Sequence, residues 1–144
     1  MDFEKCKKAF DEYVDTFDLK NSLVLLKRNH TYQVVGLMAE LAFRLDFSKE
    51  KIELAKLIGL LHDIGRFEQI RKFNSISDYE TKMDHAKESC VYLFEQGHIR
   101  DFIEDNQYDS IIQKAILNHN RFKMEENLEK EELLFSKMIR DMDK

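Results

Sequence analysis

The chain contains no proline and only four glycines. Sandwiches and barrels turn their strands with those two residues, so an all-β fold is nearly excluded. Helices need neither. In the first segment Phe3, Cys6, Phe10, Tyr13, Val14 and Phe17 recur at helical spacing, which predicts a helix over Phe3 to Phe17. Further helices are expected over Ser22 to Leu45, Lys49 to His62 (capped by Ser48), His85 to Gln96 (capped by Asp84 and stopped by Gly97), Tyr108 to His119 and Glu129 to Asp143. About six helices with short connections make an all-α bundle. Between them Ile64 to Met83 shows no period and reads as an irregular loop, of a length that in small domains tends to serve function.

No linker, repeat or low-complexity tract divides the 144 residues. One domain is expected, with residues 1–20 as a peripheral helix and 21–144 as the core that carries the motifs. The 28 acidic residues outnumber the 23 basic ones, for a formal net charge of −5. That balance removes the diffuse attraction used in binding a nucleic-acid duplex, so a phosphate ligand would need a local cationic or metal site. No apolar run approaches the roughly 20 residues of a membrane span, and a cytoplasmic protein is expected. Cys6 and Cys90 lie far apart and form no CxxC pair, so both read as reduced, packed thiols.

Five histidines remain to be explained. His30 falls within the series Leu23, Leu26, Val34, Leu37, Leu41, which places it in the middle of an apolar stripe. An imidazole buried there needs a hydrogen-bond partner or a metal. His62 shares a face with Ile52, Ala55 and Gly59, whose small residues predict a tight interhelical seam. Asp63 follows where that helix ends, and the negative end of a helix dipole asks a carboxylate for a cation. His119 closes the series Ile112, Ala115, Ile116 in the same way. His85 and His98, judged from periodicity, read as solvated. A metal shared by three stripe histidines is more economical than three separate satisfied core histidines. Imidazole and carboxylate ligands without thiolate suit Mn, Fe, Co, Ni or Zn.

These residues resemble the HD-domain superfamily of metal-dependent phosphohydrolases: His30 in KRNHTYQV, the doublet His62-Asp63 in LIGLLHDIGRFEQ, and a late aspartate in IRDMDK. The run GLLHDIGRFEQ followed by DHAKESC is especially similar to a bacterial branch, and the resemblance covers about Asn21 to Lys144. It implies metal ligands at His30, His62, Asp63 and a late aspartate, and in dinuclear members two more at His85 in MDHAKES and His119 in LNHNRF. Helical spacing sets Asp141 and Asp143 on opposite flanks of the stripe Leu134, Phe135, Met138, Ile139, Met142 without choosing between them. The family's habit of placing the ligand before a basic residue selects Asp143.

The activity so implied is hydrolysis of a phosphomonoester or phosphodiester of a nucleotide-like or other small phosphorylated metabolite, by water activated on one or two divalent ions. His62 and Asp63 would be catalytic. Arg66, just beyond the doublet, is expected either to hold a phosphate oxygen with its forked donors or to form a surface ion pair. A di-iron oxygenase with a similar ligand set, or a noncatalytic sensor, are the alternatives. The expected partner is the small phosphorylated substrate, with no duplex and no membrane, and self-association stays open.

Overall fold

The computed structural model describes residues 1–144 and contains helices and turns but no strand. The helices are α1 (Phe3–Val14), α2 (Ser22–Arg44), α3 (Lys49–Leu61), α4 (Gly65–Phe73), the single turn α5 (Asp78–Thr81), α6 (His85–Cys90), α7 (Asp109–Asn118) and α8 (Lys130–Met142). A π-helical turn (Val91–Glu95) and a 3-10 turn (His98–Asp101) lie between α6 and α7. The all-α expectation holds. Local chemistry sets most of the helix starts. Asp2, Asn21, Ser48 and Asp84 each accept first-turn backbone N–H groups through a side-chain oxygen. Glu129 and Glu132 close a reciprocal capping box at α8. No helix is long and apolar enough to cross a membrane.

The helices α2 and α3 form the most extensive seam, and Gly59 lets them close: a Cβ at that position would stand 3.2 Å from the Cα of Val35. The tight seam read from Ala55 and Gly59 is therefore present. A hydroxyl-to-carboxylate bond from Ser110 to Glu132 ties α7 to α8. Cys6 and Cys90 are free and buried. Burial pushes the Cys6 thiol up to about 11 and the Cys90 thiol up to about 12, so both stay protonated near neutrality and neither offers a thiolate.

Four expectations need correction. The helix α1 is not peripheral, because Phe3, Cys6, Phe10 and Val14 are buried in the common core. Phe10 meets Phe67 edge-on at 5.9 Å between centroids. The segment Ile64 to Met83 is not an irregular loop but carries α4 and α5. Its buried face is made of Ile64, Gly65, Phe67, Gln69 and Ile70, and the glycine and glutamine hid the apolar period. The helix beginning at His85 stops at Cys90 and widens into the π turn, with Gly97 in the left-handed region (φ 80°) just beyond it.

The fourth correction concerns α2, which is rotated from the expected stripe. Val24, Thr31, Val34, Met38 and Ala42 face the core, while Leu26 and Leu37 are 52% and 43% exposed. At the contact with α3, Val35 and Met38 lie over Gly59. His30 therefore sits at the margin of the buried face, its side chain 27% exposed.

Two glycines on helices should behave oppositely. At Gly65 a Cβ would lie 2.7 Å from the His85 carbonyl oxygen and 2.8 Å from the Ser89 nitrogen, so Gly65→Ala should destabilise by about 1–3 kcal/mol. At Gly36 nothing lies within 4 Å, and Gly36→Ala should stabilise by roughly 0.5–1 kcal/mol. Urea unfolding of the two variants measures both, and equal effects would contradict the α4–α6 contact.

Candidate metal centre

The site is assembled from helix ends. His62 is the C-cap of α3 and His119 the C-cap of α7. Each turns its ring back so that Nδ1–H donates to the carbonyl three residues earlier: His62 to Gly59 at 2.7 Å and His119 to Ile116 at 2.5 Å. The last carbonyls of a helix lack internal partners, so this bond satisfies the backbone and locks the ring together. His85 opens α6 and donates Nδ1–H to Asp78 at 2.6 Å. In all three rings the proton is committed to Nδ1, and Nε2 presents its lone pair.

Those lone pairs converge on acceptors. His85 Nε2 and His119 Nε2 stand 3.0 Å apart, and Asp63 Oδ1 lies 3.2 Å from the first and 3.4 Å from the second. Asp63 Oδ1 is buried and has no hydrogen-bond partner. On the other side of the same carboxylate, Oδ2 lies 3.5 Å from His62 Nε2 and 3.7 Å from His30 Nε2. Asp143 Oδ1 approaches His30 at 2.7 Å and His62 at 3.1 Å. Three acceptors crowded together without a donor are costly in a dry interior. Ligand atoms about 2.0–2.2 Å from one ion stand roughly 3 Å apart, which is the spacing seen here. Two groups of side chains have the chemistry and spacing to hold a divalent metal ion: His30, His62, Asp63 and Asp143, and Asp63, His85 and His119.

A family model of the HD domain matches residues 28–144, which takes in every one of these side chains. The chain belongs to the HD-domain family. No curated protein and no solved structure matches it. Within this HD domain α1 lies outside the matched span yet inside the core.

Electrostatics keeps the carboxylates ionised. Burial pushes Asp63 up, but the His62 ring, contacts from His119 and His85 and the Lys27 ammonium outweigh it and hold the carboxyl well below its ordinary range. Burial acts the same way on Asp143, and the His30 and His62 rings that close on it pull its carboxyl below the ordinary range. Both groups are thus available as anionic ligands. Asp63 does not face only the α3 terminus, as the sequence suggested; α4 starts two residues later, and its backbone carbonyl accepts the Arg66 N–H at 2.9 Å.

The sequence reading and the structure differ at several side chains. His85, solvated by periodicity, is buried, whereas His98 stays outside the site and stacks on Tyr92 at 4.2 Å. Asp143 points into the site, and Asp141 is exposed beside Arg140. Arg66 forms an ion pair that is largely buried and not on the surface, its side chain 15% exposed. Its Nη1 is taken by Asp78 at 2.6 Å, the Ile76 carbonyl at 2.6 Å and Gln69 at 2.8 Å. Lys27 was missed altogether, although its Nζ lies 2.8 Å from Asp63 Oδ2 and its side chain is 12% exposed. A signal existed: Lys27 stands three residues before His30, on the same face of α2. Asp78 and the buried Gln69 left no comparable trace.

Two comparisons test the centre. His62→Ala is expected to lose metal retention while circular dichroism stays helical, and unchanged metal content by elemental analysis would contradict a ligand role. Asp143→Asn should weaken binding in a Zn²⁺ or Mn²⁺ titration, whereas Asp141→Asn should leave it at the parent's level. The reverse ranking would move the ligand to Asp141.

Proposed function

We propose that this HD-domain protein is a metal-dependent phosphohydrolase that cleaves a phosphomonoester or phosphodiester of a nucleotide-like or other small phosphorylated metabolite. HD domains are generally metal-dependent hydrolases, and His30, His62, Asp63, His85, His119 and Asp143 would hold one or two divalent ions. Such ions, when bound, acidify water and neutralise phosphate charge.

The observation that carries the reading is what surrounds the centre. His119 and Asp143 form one wall of an open cleft of about 500 Å³, and the rest of its lining includes Arg121, Phe122, Arg140 and Lys144. Arg121, Lys144 and Arg140, the last sharing its Nε with Asp141, gather cationic donors at one mouth on a chain of net charge −5. Arg121 and Arg140 offer forked donors to the non-bridging oxygens of a phosphate. Phe122 is fully exposed beside them and presents a ring face to a flat group such as a base. The cleft's charge supports an anionic, phosphate-bearing substrate.

The test is phosphate release from a panel of phosphomonoesters and cyclic phosphodiesters by protein loaded in turn with Mn²⁺, Fe²⁺, Co²⁺, Ni²⁺ and Zn²⁺, with oxygen uptake followed in parallel. Hydrolysis that Asp63→Asn abolishes is expected. Arg121→Ala should raise KM about 10-fold or more, the loss of one charge-assisted contact, with kcat largely kept. No release with any metal, or oxygen uptake in its place, would overturn the assignment.

A further inference from the structure

The three locked histidines of the centre are not locked in the same way. His62 and His119 end their helices and find acceptors in their own backbones. His85 is the first residue of α6, and the start of a helix offers free N–H donors but no free carbonyl. Its Nδ1–H must therefore be received by another element. Asp78 of α5 does this, accepting His85 Nδ1–H at 2.6 Å and the His85 backbone N–H at 3.2 Å through the same Oδ2.

Asp78 is itself held. Its Oδ1 accepts Arg66 Nη1 at 2.6 Å and Gln69 Nε2 at 3.0 Å. Gln69 is fully buried and also donates to Thr81 Oγ1 at 2.9 Å. The joint between α4 and α6 is closed by a relay in which Gly65 N–H donates to Ser89 Oγ and Ser89 donates to the His85 carbonyl, each at 2.8 Å. The turn α5 buries no residue of its own, so these polar bonds are what fixes its place.

We infer that Asp78 is the positioning residue for the second metal position, with Arg66 and Gln69 as the clasp that keeps it on His85. A carboxylate behind a ligating imidazole fixes the ring and raises its basicity. The first position, built from His30, His62, Asp63 and Asp143, contains no residue that Asp78 touches. The clasp should therefore tune one ion and leave the other unchanged. This rests on the reading of the cluster as a metal centre.

The experiment is a calorimetric Mn²⁺ titration of the full chain and of Asp78→Asn, Arg66→Gln and His85→Ala. The parent should bind two ions, and His85→Ala one. Asp78→Asn should keep the first step and fill the second about 10- to 100-fold more weakly. Arg66→Gln should weaken the same step by less, while its affinity for inorganic phosphate at saturating Mn²⁺ stays at the parent's value. A second step unchanged in Asp78→Asn overturns the inference alone, as does the loss of both steps together, which would make Asp78 a support of the whole fold. A parent that binds a single ion, insensitive to His85→Ala, removes the two-ion reading and the inference with it.

Discussion

A single carboxylate, Asp63, is the constraint around which the bundle is arranged. It is 2% exposed, and a charge so buried needs compensation from its neighbours, the Lys27 ammonium directly and the imidazoles through the metal they would hold. Those partners come from far apart in the chain: Lys27 and His30 from α2, His62 from α3, His85 from α6 and His119 from α7. Asp143 from the end of α8 closes the ring. The long-range packing of the helices and the composition of the centre are therefore one problem with one solution.

Rigidity follows from where the histidines sit. At the ends of α3 and α7 the imidazoles replace missing helical hydrogen bonds, so the backbone itself orients two ligands. The small residue Gly59 brings α2 close enough for His30 to reach the same point. Functional geometry is thus carried by elements whose places are set by apolar packing, and the cationic cleft lies on the more exposed ground of residues 119–122 and the α8 end.

The two halves of the centre differ in how they are supported. The half that holds His30, His62 and Asp143 draws on the long helices α2, α3 and α8. The half that holds His85 draws on the short helices α5 and α6 and on polar bonds through Asp78. Short helices contribute little stability of their own, so this half relies more on specific side-chain contacts.

Much of the site was legible because its signals are local. The doublet His62-Asp63 after an apolar run and His119 at the end of another are set by spacing along one helix, whereas His85 and Asp143 were singled out by the family resemblance and not by periodicity. Proline absence and periodicity decided the all-α class for the same reason. What could not be read depends on how one helix is turned against another. The face that α2 buries depends on the rotation that lets Val35 meet Gly59, and the same rotation brings Lys27 onto Asp63. Asp78, Gln69 and the true partners of Arg66 meet across α4, α5 and α6, where polar contacts leave no hydrophobic period. The amino-acid sequence by itself determined the all-α class, the long helices and the caps Ser48 and Asp84, because each depends on neighbours within a turn or two. Only the tertiary structure decided which side chains share Asp63, since that is a matter of helix rotation and approach, and these are settled by the packing of the whole core.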